Sequence, residues 1–142
     1  METIVTAIPD PKKAQVGGSH YKGLLIEPLE LTYANQYDGL IFTILKYVMR
    51  HHLKGGAVDL DKAAHACHYR AAMIREHGFS PRALNVFPPE RVIFANKMKH
   101  LEGRILADVH AWSRLDMPMS SDDSAAMIAA SIIGLRDTRY PR

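Results

Sequence analysis

The chain has 142 residues, 47% hydrophobic and 23% charged, the size and balance of one folded domain, which excludes disorder along its whole length. Eighteen Lys and Arg against fifteen Asp and Glu leave a net charge of +3, which suits a small phosphate-bearing ligand but is too slight and scattered for a nucleic-acid polymer. A single cysteine, Cys67, rules out an internal disulfide and a cysteine-rich zinc module.

Residues 1–16 read as an extended arm, with strand character at Ile4, Val5 and Ile8 that Pro9, Pro11 and Lys12-Lys13 cut short. METIVTAIPDPKK has neither the charged start nor the apolar stretch of a signal peptide. The Gly-rich segment Gly17-Gly18-Ser19-His20-Tyr21-Lys22-Gly23 must be a loop. Pro28 then starts a short helix to Gln36, with Leu29, Leu31 and Tyr33 available for packing. Asp38 caps a second helix from Gly39 to Leu53, on which Ile41, Ile44, Leu45, Val48 and Met49 recur at helical spacing. The longest apolar run lies there, from Leu40 to Met49, broken by Thr43 and Lys46, so no membrane span is expected and the chain reads as cytoplasmic.

Gly55-Gly56 ends that helix, and Asp59 opens a third that Gly78 stops. Ala63, Ala64, Ala66, Cys67, Ala71 and Ala72 make this helix narrow enough for close packing. Phe79 to Pro89 is a proline-rich connector. A fourth helix is expected from Pro89 or Glu90 to Leu115, bent near Gly103, and Ser120-Ser121-Asp122-Asp123 caps a last one to Asp137. The expected fold is mainly α: a compact helical domain of about five helices, with the arm at 1–16, a central unit at 17–78 and a helical extension at 79–142 on the same core.

Neither GxxxxGK[ST] nor GxGxxG occurs, which excludes an ordinary P-loop kinase and a dinucleotide-binding domain. The Gly17–Gly23 loop frees backbone N–H groups to face an anion and adds Ser19, His20 and Lys22 as donors, although a plain hinge has the same composition. Lys46 and Arg50, four apart, place two cations on one helix face within reach of one phosphate, or at the solvent edge of an amphipathic helix. Asp59 and Lys62 follow Lys54-Gly55-Gly56, where Asp59 also serves as a helix cap. His65 and His68 fit a metal only with a third ligand such as Asp61, His51 or His52, and no metal site is assigned. Cys67 reads as core, and Met98 and Trp112 as core or interface residues. Asp122-Asp123 reads as helix-terminal charge, and Glu102, Asp108 and His110 lack the repeated carboxylates of an all-α nucleotide pyrophosphohydrolase.

Together, Gly17-Gly18-Ser19-His20-Tyr21, Ile26-Glu27-Pro28, Asn35, Leu45-Lys46-Tyr47-Val48-Met49-Arg50, Lys54-Gly55-Gly56, Asp59-Leu60-Asp61-Lys62-Ala63 and Tyr69 resemble a small domain widespread in tailed bacteriophages. That domain is similar to part of the P-loop-less nucleotide kinase of T7-like phages. Where the family has Gly-Asn, this chain has Phe42-Thr43. The resemblance implies a nucleotide-binding protein of the host cytoplasm that phosphorylates deoxynucleoside monophosphates, with ATP as phosphoryl donor. It implies that Lys46, Arg50, Lys54 and Lys62 hold phosphates beside the Gly17–Lys22 loop and Tyr47, and that His20 and Asp59 position the acceptor or assist proton movement. The alternatives are sequestration of a nucleotide without chemistry, a metal-dependent nucleotide phosphohydrolase, and an interaction module acting on a host protein. A homo-oligomer is expected, since modest helices leave little room for a deep pocket within one subunit.

Overall fold

In the computed structural model, which describes residues 24–142, every regular element is a helix, and no strand occurs among the described residues. The expected arm and the Gly-rich loop lie outside the described residues.

Pro28 begins α1 (Pro28–Asn35), and Gln36 closes it in the left-handed conformation at φ 57°. Leu31 packs in the core, but Leu29 and Tyr33 are exposed, contrary to expectation. The short helix turns only one side towards α2 (Gly39–Arg50). Asp38 caps α2 as expected, its Oδ1 accepting from the N–H of Leu40 at 3.0 Å and of Ile41 at 2.9 Å. The five apolar positions read from its spacing are all buried. The helix stops at Arg50 rather than Leu53, because the N–H groups of both Leu53 and Lys54 turn back to the Arg50 carbonyl.

The next helix, α3 (Ala57–His77), starts two residues before Asp59, which corrects the expected cap. Its boundary residue is Gly56, whose φ of 58° L side chains rarely adopt. Asp59 instead sits in the first turn and reaches back to the Gly55 N–H at 3.2 Å.

The single helix expected from 89 to 115 is two: α4 (Pro89–Asn96) and α5 (His100–Ser113). The break falls at Lys97, left-handed at φ 51°, where the Met98 N–H returns to the Ile93 carbonyl at 3.0 Å. Gly103 marks a close approach instead of a bend. A Cβ there would lie 3.2 Å from Ile93 side-chain carbons, so its absence lets α4 rest against α5. Ser120 opens α6 (Ser121–Arg139) by accepting from the Asp123 N–H at 3.1 Å, as the sequence predicts.

α2, α3, α6 and α5 pack as a closed circuit, each against the next, with α1 on α2 and α4 on α5. Leu45, Leu60, Leu106, Trp112, Ile128 and Ile132 fill its interior. The contact between α3 and α6 is the most extensive, in keeping with the row of small residues on α3.

The connector between α3 and α4 is held by side chains. Asn35 is fully buried, donates from Nδ2 to the Phe87 carbonyl at 3.0 Å and accepts the Phe87 N–H at 2.8 Å. Its Nδ2 also donates to Tyr37 Oη at 3.0 Å. Tyr37 Oη then faces His110 Nδ1, while His110 Nε2 lies 2.8 Å from Asn85 Oδ1. Asn85 accepts, so Nε2 carries the proton and Nδ1 accepts from Tyr37. Burial pushes the Tyr37 hydroxyl up to about 12 and lowers His110, which keeps this chain of neutral donors intact.

Candidate functional site

α2 and the start of α3 carry the cations singled out by the sequence, and one aromatic ring gathers three of them. The half-buried Tyr47 ring has Lys46 Nζ at 4.6 Å from its centroid, Arg50 Cζ at 4.8 Å and Lys62 Nζ at 5.5 Å. Lys46 Nζ also lies 5.4 Å from the Phe42 ring. Two of these cations flank Tyr47 on α2, and Lys62 arrives from the second turn of α3. The ring's negative face tolerates this crowding of like charge, which an anion would relieve.

Arg50 is oriented by its Nε bond to Asp59 Oδ2 at 3.2 Å. The same oxygen accepts the Gly55 N–H, so Asp59 is buried and engaged by two donors. Gly55 makes room for this carboxylate: a Cβ there would overlap the Asp59 side chain and force it to move. Lys46, Tyr47, Arg50, Asp59 and Lys62 are thus brought together. Lys54 is exposed in the turn between the helices and makes no contact with the Tyr47 ring. Gly17, Gly18, Ser19, His20, Tyr21 and Lys22 lie outside the described residues.

Two polar clusters had no signal in the sequence. His51, 2% exposed, sets Nε2 at 3.0 Å from Glu102 Oε2 on α5 and Nδ1 at 2.7 Å from Tyr140 Oη just beyond α6. Arg139 Nη2 donates to the second Glu102 oxygen at 3.0 Å. Burial raises the Glu102 carboxyl, but the bonds from His51 and Arg139 outweigh it and bring it down to about 2. Tyr140 also covers Gly56, whose missing Cβ would lie 3.6 Å from its ring, so the network braces the turn that presents Asp59.

The other cluster centres on Arg70, 3% exposed, with Nε 3.0 Å from Asp38 Oδ2 and its guanidinium carbon 4.4 Å from the Trp112 ring centroid. Ser80 donates to the same Asp38 oxygen at 2.7 Å. Burial raises the Asp38 carboxyl, and Arg70, the Ile41 N–H and Ser80 together overcome that and lower it. The partners come from other elements, Asp38 ahead of α2 and Glu102 on α5 among them, so no local spacing announces either cluster.

His65 and His68 are both exposed, and among the described residues no three His, Cys, Asp or Glu side chains gather as a metal-binding group. Cys67 is fully buried and burial pushes its thiol up to about 12, so it packs and does not attack. Among the described residues no helix is long and apolar enough to cross a membrane.

No curated protein and no solved structure matches the chain. Residues 11–69 match a protein family described only as of unknown function (DUF3310), a span that holds the whole Tyr47 cluster but not Glu102, Arg139 or Tyr140.

Proposed function

We propose that the protein binds a nucleotide and holds its phosphates at the Tyr47 cluster. The observation that carries this reading is the convergence of Lys46, Arg50 and Lys62 on one ring. Among the described residues, neither lysine has a carboxylate within ion-pair distance. Two lysines with no carboxylate partner among the described residues, over a polarisable aromatic floor, suit a phosphate better than a neutral ligand. The likeness to the tailed-phage domain supports a nucleotide as the bearer of that phosphate and the infected host's cytoplasm as its place of action.

Retention without chemistry is the form favoured by Asp59. Its carboxylate is buried and already accepts from Arg50 and Gly55, a positioning role rather than that of a proton acceptor. Phosphoryl transfer from ATP to a deoxynucleoside monophosphate is the second reading, with Lys46 and Lys62 neutralising the transferred group.

Incubation with nucleoside monophosphates and ATP, with and without EDTA, followed by chromatography separates the two. Unaltered nucleotide co-eluting with the protein is expected. New diphosphate moves the assignment to a kinase, and no retention with no product overturns both. The reading includes a homo-oligomer, supported by Leu25 at 77%, Leu29 at 66% and Tyr33 at 81% exposure on and just before α1.

A further inference from the structure

The Tyr47 cluster is one end of a longer feature. Between α2 and α3 runs an open groove lined by Leu40, Thr43, Tyr47, Val58, His65 and Tyr69. Its surface is mostly apolar, and Val58 and Tyr69 stand 58% and 50% exposed in it. The His65 and Tyr69 rings lie 6.3 Å apart and tilted by 57°, so two flat side chains stand on α3 one and two turns beyond Lys62. Tyr47 and Lys62 belong to both features, which makes the groove cationic at one end and aromatic along α3. Asp61, a carboxylate lining the groove, is paired with Arg136 at 2.6 Å, and no carboxylate among the described residues pairs with Lys62.

We infer that this groove receives the base of the nucleotide, with Tyr69 as its stacking ring and His65 at its edge. The inference rests on the phosphate reading above and names the part of the ligand that reading leaves open. Charge complementarity selects the occupant: one end matches an anion, and the remainder matches a flat apolar ring, the two halves of a nucleoside phosphate. Recognition by stacking tolerates any base, because every base presents a π face. Affinity therefore ranks nucleotides above inorganic phosphates and changes little from base to base.

Calorimetry on the full chain tests this with inorganic pyrophosphate and a panel of nucleoside 5′-diphosphates as probes. The nucleotides are expected to bind about tenfold tighter than pyrophosphate. Tyr69→Ala should remove most of that advantage and leave pyrophosphate unaffected, while Tyr69→Phe keeps it. Lys46→Ala should weaken both probes. Equal binding of nucleotide and pyrophosphate, or equal loss of both in Tyr69→Ala, overturns the base site while the phosphate site stands. If neither probe binds, the phosphate reading fails and the base site with it. A smaller particle mass in Tyr69→Ala with unchanged nucleotide affinity gives the groove to a second copy, which also overturns the inference.

Discussion

Tyr140, the first residue beyond α6, sets its hydroxyl 2.7 Å from Nδ1 of His51, the residue that follows Arg50 at the end of α2. The chain's C-terminal half thereby touches the segment that supplies the Tyr47 cluster. Glu102 and Arg139 complete the connection from α5 and α6.

This network is expected to matter for stability in graded steps. Tyr140→Phe leaves one imidazole nitrogen without its partner and should cost about 1–2 kcal/mol. Glu102→Ala strands both His51 and Arg139 and should cost about 3 kcal/mol, the low end for a broken buried pair because Arg139 is partly exposed. Urea unfolding of both variants checks the order; equal losses would show that the two Glu102 bonds are worth no more than the Tyr140 bond.

Acid should weaken the fold through the same carboxylate. Folded Glu102 holds its proton less tightly than the unfolded chain, at about 2 against 4.5. Its contribution is therefore complete above the ordinary carboxylate range and is lost as pH falls towards 2. Asp38, lowered in the folded state, adds a loss of the same sign. Urea midpoints measured downwards from about pH 6 should fall steadily, and Glu102→Gln should flatten the slope.

Gly55→Ala should be costly although the change is one methyl. The new carbon would displace the Asp59 carboxylate and with it the Arg50 contact. A destabilisation of about 1–3 kcal/mol is expected, together with weaker nucleotide binding. Asp59→Ala removes the obstructing oxygen, so the double variant should lose less than the sum of the two single ones.

Leu29→Lys or Tyr33→Lys should reduce the particle mass in solution. Leu29 and Tyr33 lie one turn apart on the exposed side of α1, where a charge costs the monomer little but an apolar interface much. Analytical ultracentrifugation reads this directly. A wild-type protein that already sediments as a monomer would remove the oligomer from the proposal.

What the sequence made legible was local. Asp38 and Ser120 bind N–H groups within three residues, Gly78 closes α3 directly after its last turn, and the apolar spacing of α2 maps onto its buried face. Lys46, Arg50 and Lys62 were visible as well-spaced cations, but Tyr47 as the ring that gathers them needed the packing of α2 on α3. The division of α4 from α5 carried no glycine or proline, since Lys97 supplies the left-handed residue. Asn35 with Phe87 and His51 with Tyr140 are 52 and 89 residues apart, distances over which side-chain pattern gives no guidance.

Tyr140 resting over Gly56 and against His51 also limits how such a chain is inherited. A recombination that replaced the last helix with an unrelated one would deliver the cation cluster without the ring that supports its turn.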